Sequence, residues 1–242
     1  MKELNLFIIL AVFFVLFAVI IGLLICELQY RKTTYYKVKQ RGLFTSVLWD
    51  KGAYGEYLIY KNLRAYERKG AKFLFNIYLP SNNKKIDTTE IDVMMSFEDG
   101  ICVFESKNYS GWIFGNDRQK TWTQCLKGNG KQAVKEKFYN PIWQNQGHIE
   151  ALKNMGVIGN NIPIYSIIAF SERCVLKKIQ TGSYPNTYVI NRNQVNSVIK
   201  HNIPEFGLKQ QAIDNLYKSL YPYTLVSDEE KARHINQIKN LK

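Results

Sequence analysis

The run Leu6–Cys26 constrains this chain more than any other feature: 21 consecutive residues, nearly all Leu, Ile, Val and Phe, without one charge. A helix of that length is about 31 Å long, the thickness of a bilayer's hydrocarbon core. A helix on the surface of a globular domain needs a polar face, and this run has none. The rival is a cleaved signal peptide, but the run is too long for a typical h-region and no A-x-A-like site follows it. Bulky Ile25 ahead of Cys26 speaks against a lipoprotein cysteine. The run is therefore read as an uncleaved transmembrane anchor (6–26). Arg31, Lys32, Lys37, Lys39 and Arg41 follow it with no acid among residues 31–41, whereas only Lys2, Glu3 and the terminal amine precede it. The positive-inside rule then puts residues 1–5 outside and the remainder in the cytoplasm, as a single-pass protein of the cell membrane. The basic stretch Arg31–Arg41 is read as a topology signal and a lipid head-group contact, inside a juxtamembrane tether of residues 27–48.

Past the tether the composition is that of a folded domain. Hydrophobic residues make up 46% of the 242 residues, enough for one packed core, which excludes global disorder. With 33 Lys+Arg against 20 Asp+Glu the net charge is +13, which favours an anionic partner, nucleic acid or a membrane surface. Cys26, Cys102, Cys125 and Cys174 lie far apart with no C-x-x-C pair, so neither a disulfide framework nor a Cys-rich zinc site is expected.

The pattern predicts a helix from Lys51 that Gly70 closes, a strand over Lys72–Leu79 stopped by Pro80, and a polar loop over Ser81–Thr89. Two strands, Glu90–Phe97 and Ile101–Lys107, are joined at Glu98-Asp99-Gly100, a strong hairpin signal. Residues 108–140 predict short strands and loops. Pro141 opens a helix to about Met155 with Ile142, Ile149 and Leu152 toward the core. Strands over Pro163–Phe170 and Thr187–Ile190 and helices near 192–200, 206–220 and 228–241 follow, the last with a capping box at Ser227-Asp228-Glu229-Glu230. This is an α/β order with no clear linker, taken as one domain over 49–200 with a helical extension over 201–242.

Glu56, Asp92, Glu105 and Lys107 stand out as chemistry. Side chains alternate along a strand, so Glu105 and Lys107 share a face. If Asp99-Gly100 is the hairpin loop, Asp92 lies opposite Lys107; if Glu98-Asp99 is the loop, Asp92 faces Glu105. Both registers gather Asp92, Glu105 and Lys107, and a three- or five-residue loop would not. Two adjacent carboxylates repel unless a cation, a proton or a lysine separates them. A hard divalent ion such as Mg²⁺ suits such a site, and a lysine beside it could orient water or stabilise developing negative charge. The plain alternative is a solvent-facing sheet surface where acids pair with lysine across strands. The flanking apolar residues (Ile91, Val93, Met94; Val103, Phe104) place these acids near a core instead.

Gly52-Ala-Tyr-Gly55-Glu56, Thr89-Glu90-Ile91-Asp92-Val93, Gly100-Ile-Cys-Val-Phe-Glu105-Ser106-Lys107-Asn108-Tyr109-Ser-Gly111 and Asn140-Pro141-Ile-Trp-Gln144-Asn145-Gln-Gly-His148-Ile149 resemble, in order and spacing, the NERD (nuclease-related domain) family. That family is similar to the PD-(D/E)xK nucleases. The resemblance implies a mixed central sheet flanked by helices on an αβββαβ core. It implies Asp92 and Glu105 as metal-binding acids, the Ser106 carbonyl as a backbone ligand, Glu56 as an added metal contact, Lys107 as the lysine that positions water, and Gln144 as a polar group facing the site. The expected activity is Mg²⁺- or Mn²⁺-dependent phosphodiester cleavage of nucleic acid, DNA ahead of RNA. The alternative is a docking module for nucleic acid or protein at the membrane that keeps the fold without the chemistry.

Residues 118–137 are basic, and Arg118, Lys120, Lys127 and Lys131 are candidates for phosphate contact, with Trp112 and Trp122 expected in the core. His148, four residues after Gln144, is expected to pack or cap rather than catalyse. His201 and His234 show no partner pattern, and Cys102 and Cys125 read as buried thiols.

Overall fold

The computed structural model describes residues 2–39, 42–128, 130 and 133–240. The apolar run lies within helix α1 (Lys2–Arg31). It is long and apolar enough to cross a membrane: its most apolar stretch has a mean hydropathy of 3.4 and none of it is buried in the protein. Short helices α2 (Thr34–Lys39) and α3 (Phe44–Trp49) follow. Asp50 then caps α4 (Lys51–Leu63), its carboxylate accepting from the Gly52 and Ala53 amides. A 3-10 turn over Arg64–Lys69 leads to Gly70, whose φ of 92° supplies the left-handed stop predicted for it.

The strands β1 (Lys72–Pro80), β2 (Thr88–Phe97) and β3 (Gly100–Lys107) form a meander, followed by β4 (Gly111–Asn116), β5 (Thr121–Leu126) and β6 (Val134–Tyr139). Helix α5 (Pro141–Asn154) precedes β7 (Ile164–Phe170), β8 (Cys174–Gln180) and β9 (Thr187–Asn191). Helices α6 (Val195–Asn202), α7 (Gln210–Leu220) and α8 (Asp228–Lys239) end the chain. The fold is mixed α/β, with two mixed sheets flanked by helices, ordered β1-β2-β3-β7-β9 and β6-β5-β4-β8. The parallel partners β3 and β7 end at Lys107 and Phe170, and the chain resumes each as β4 and β8, again parallel. Two backbone bonds bridge the break, Ser171 N–H to Lys107 O (2.9 Å) and Gly111 N–H to Arg173 O (3.2 Å).

The five-stranded sheet buries both faces. Phe73, Phe75, Val93 and Phe104 pack with Ile59 and Leu63 of α4 on one side. Leu74, Ile77, Ile91 and Val103 pack under Ile149 and Leu152 of α5 and Leu216 of α7 on the other. Ile113, Trp122, Ile142 and Phe170 fill the space beneath the second sheet. Within β1 the faces exchange between Phe75 and Ile77, and within β2 between Val93 and Ile91. At the exchange the pairing steps from Phe75↔Val93 to Ile77↔Ile91, and Asn76 takes a left-handed φ of 48°. The irregularity therefore sits at the position of Asp92.

Four expectations need correction. Strand β8 was not predicted, because Cys-Val-Leu-Lys-Lys-Ile-Gln lacks period-two alternation; its positive-φ Lys178 shifts the β4–β8 register between Phe114 and Gly115. The helix expected from 206 starts at Gln210. Trp122 is fully buried as expected, but Trp112 is 55% exposed, because adjacent strands turn it to the opposite face. The juxtamembrane stretch is not an open tether: Tyr30, Tyr35 and Val38 are buried against α4, and Lys39 points inward. Arg41 and Lys131 lie outside the described residues.

Two expected results follow from packing. A Cβ on Gly115 would collide with the buried indole of Trp122, which stacks on Phe170 (ring centroids 6.3 Å apart). Gly115→Ala should lower stability by about 1–3 kcal/mol, read as a lower denaturant midpoint. An unchanged midpoint would show that the second sheet tolerates overpacking. On α8, His234 is 3% exposed, meets Thr88 Oγ1 at 3.0 Å and packs edge-on to Tyr78. Glu90, at 3.9 Å, is too far for a hydrogen bond. Burial holds this imidazole below its ordinary value. Its neutral form is favoured on folding, so docking is fully stable above the unfolded value of about 6.5 and weakens as pH falls below it. Protection factors of the amides in 228–239, corrected for the intrinsic pH dependence of exchange, should be lower at pH 5 than at pH 7.5, and equal protection at both would contradict this.

Candidate active site

The hairpin between β2 and β3 builds the floor of the site. Phe97 pairs with Gly100, so Glu98-Asp99 form the loop and the register is the one that faces Asp92 toward Glu105. The ladder stops at Val93↔Phe104, and Asp92 turns instead to accept the Ser106 amide at Oδ2 (2.7 Å). Helix α4 lies close over this point: a Cβ on Gly55 would stand 2.5 Å from Ser106 Oγ, so glycine is what lets α4 approach β3 and bring the next residue, Glu56, to the acids.

Glu105 is the centre of a polar chain. Only 2% exposed, it accepts from Lys107 Nζ at Oε1 (2.6 Å) and meets His148 Nε2 at Oε2 (3.1 Å). Lys107 also donates to Gln144 Oε1 (3.0 Å), and His148 Nδ1 lies 2.7 Å from Thr89 Oγ1. A carboxylate only accepts, so Nε2 carries hydrogen; in the neutral ring Nδ1 accepts from the Thr89 hydroxyl. Gln144 and His148 project from one face of α5, which Asn140 anchors by accepting the Ile142 amide (2.9 Å).

Four carboxyl groups (Glu56, Glu90, Asp92, Glu105) meet two ammonium groups (Lys39, Lys107) here. Burial, then the Glu105, Glu56 and Glu90 charges, push the Asp92 carboxyl well above the usual carboxylate range. Burial pushes Glu105 the same way, but the Lys107 charge and His148 outweigh it and hold the group below its ordinary value. Burial opposes the Lys107 charge, and Glu105 more than restores it. Burial and the Glu56 charge raise Glu90.

Glu56 is occupied by groups from outside the predicted set. Its Oε2 accepts from Lys39 Nζ (2.8 Å) and from the Tyr35 hydroxyl (3.3 Å), both on α2, and its Oε1 accepts from Asn76 (3.2 Å). Both ends of the Lys39–Glu56 pair are nearly sealed from solvent, at 6% and 8% exposure. Lys39 is thus drawn from lipid contact into the domain.

Among the described residues, no group of three or more His, Cys, Asp or Glu side chains converges as a metal-holding cluster. A Mg²⁺ ion that keeps most of its waters needs only one or two carboxylates, and the net negative charge around Asp92 suits such an ion. The donors there are hard oxygens. Asp92 fits that role best, Glu105 would have to share an oxygen with Lys107 or His148, and Glu56 is already committed to Lys39.

Of the predicted site residues, the structure gathers Glu56, Asp92, Glu105, Lys107 and Gln144, with Ser106 contributing its amide. His148 belongs with them, and its i, i+4 spacing from Gln144 was the available signal. Thr89, Asn76 and Lys39 carried no such signal. The described basic candidates, Arg118, Lys120 and Lys127, are spread along the second sheet. Arg118 and Lys120 sit in the turn before β5 and Lys127 after it, about 20 Å apart along a strand of that length.

The fold is thus a mixed α/β domain with an acid–lysine cluster at an irregular hairpin, braced by helices before and after it. The family model described as the nuclease-related domain, NERD, matches residues 51–171, half the chain and the whole span from Glu56 to His148; the chain belongs to this family. It is similar to an uncharacterized protein of Bacillus anthracis, 28% identical over 190 residues, covering 78% of this chain and 84% of that one. No solved structure matches it.

Proposed function

We propose that this protein is a membrane-anchored, divalent-metal-dependent nuclease. The observation that carries the reading is the Asp92–Glu105–Lys107 cluster, with Glu105 buried and its two partners half-buried, in register on the family's own domain and short of positive charge. Bound Mg²⁺ would polarise the phosphodiester and acidify a bound water. Asp92 would hold that ion, and Glu105 and the Ser106 carbonyl would be its further ligands. Lys107, fixed between Glu105 and Gln144, orients the attacking water and offsets charge on the phosphate. His148 fixes the rotamer of Glu105. DNA is the expected substrate. The anchor is Leu6–Cys26, whose large apolar side chains are exposed along α1; the domain then lies on the cytoplasmic side.

The full chain in detergent micelles should cleave DNA in Mg²⁺ or Mn²⁺ and stop when the metal is chelated. Equal cleavage by wild type, Asp92→Ala and Lys107→Ala would reject this site. A docking module without turnover is the second reading. It is favoured by one observation, that the ammonium group of Lys39 already lies on Glu56. Salt-dependent DNA binding with no cleavage in either metal would select it.

A further inference from the structure

The second sheet buries one face and leaves the other bare. Its strand registers align two rows across the outer face: Lys135–Cys125–Trp112–Val175 and Lys137–Thr123–Phe114–Lys177. Lys135, Lys137, Val175, Lys177 and Trp112 are exposed, and no acid stands among the eight. Glu136, the neighbouring acid on β6, pairs opposite Gln124 and so points to the other face. The indole of Trp112 is 55% exposed, and Lys177 Nζ lies 5.7 Å from its ring centre. Trp112, with Cys125 and Val175 beside it and Phe114 in the next row, forms a narrow apolar strip bracketed by Lys135, Lys137 and Lys177, and a strip so closely set among lysines does not suit a typical protein interface, whose core is depleted of charge.

We propose that this face is a platform for single-stranded nucleic acid, stacking an unpaired base on Trp112 while Lys135, Lys137 and Lys177 meet the phosphates. Bases in a duplex are already stacked, so an exposed indole on a flat sheet can take only unpaired ones, and such stacking is tolerant of sequence. The outer lysines of the second row stand three interstrand steps apart, about 14 Å, so a strand crossing the sheet meets cations on both sides of the rings. The platform is coupled to the acid cluster at two places. Strand β4 begins four residues after Lys107, and β6 runs through Asn140 into α5, which sets Gln144 on Lys107. The inference rests on the nuclease reading only for what happens after capture. It extends the basic candidates of residues 118–137 to a defined face that includes β8.

The test is binding of labelled oligo(dT), and of a duplex of equal length, to the full chain in micelles with EDTA, where no metal-dependent cleavage intervenes. Trp112→Ala should weaken oligo(dT) binding on the order of ten- to a hundredfold, leave duplex binding and the salt slope unchanged, and be rescued by Trp112→Phe. Lys137→Ala with Lys177→Ala should instead flatten the dependence of log Kd on log salt. These positions are on the surface, so the variants are expected to fold; Gly115→Ala serves as the control for a damaged sheet. Oligo(dT) affinity equal in wild type and Trp112→Ala, or an equal loss for single strand and duplex, overturns the platform. Because the assay needs no turnover, Trp112-dependent capture by a protein that never cleaves would keep the platform and reject the nuclease, and the converse would reject the platform alone.

Discussion

Lys107→Ala is expected to lower Mg²⁺-dependent DNA cleavage by about 10²–10³-fold, with Asp92→Asn falling at least as far. The two substitutions should move stability in opposite directions. Lys107 neutralises Glu105 at 2.6 Å in a buried setting, so its loss leaves that carboxylate with His148 alone. Asp92 is different, since burial and three neighbouring acids resist its ionisation. An uncharged Asn relieves that repulsion and can still accept the Ser106 amide. Asp92→Asn should therefore unfold at higher denaturant than wild type while losing cleavage. A residue kept only for structure would lose stability when replaced, so a destabilised Asp92→Asn would count against a site held under charge strain.

The second large effect belongs to Lys39. Removing one partner of a sealed ion pair leaves the other charge buried, at a cost of about 3–5 kcal/mol. Among the described residues Glu56 would stay beside Glu90 and Asp92 with Tyr35 and Asn76 as its donors. Lys39→Met should lower the denaturation midpoint of the full chain accordingly, and Lys39→Met with Glu56→Gln should recover most of the loss. If the single variant melts as wild type does, the pair contributes no more than a surface bridge, about 0–1 kcal/mol.

The sequence carries the hairpin, the acids and the lysine because period-two alternation and an Asp-Gly turn leave few registers, and either two-residue loop brings the same three residues together. It could not choose between them; the Phe97↔Gly100 pairing does. Nor could it show that β1 and β2 exchange faces at Asn76, since a left-handed residue other than glycine leaves no mark in a hydropathy pattern. Trp112 and Trp122 illustrate the same limit. Both read as core, and strand register puts one inside and the other outside. Lys39 looked like one of several lipid-facing cations, because its partner is 17 residues away on another helix. The extra strand β8 was hidden by its adjacent lysines.

Tyr30 ends α1 inside an aromatic knot, its ring 5.1 Å from Phe44, 5.8 Å from Tyr57 and 6.4 Å from Tyr35, while Glu27 accepts the Phe44 amide (2.6 Å). The last turns of the apolar helix are therefore a root, not a hinge. Swinging the domain away from α1 would mean pulling an aromatic ring from its socket. A fragment trimmed to begin at Gly42 would lack that root along with Lys39 and Tyr35, so its silence in an assay would say nothing about the intact protein.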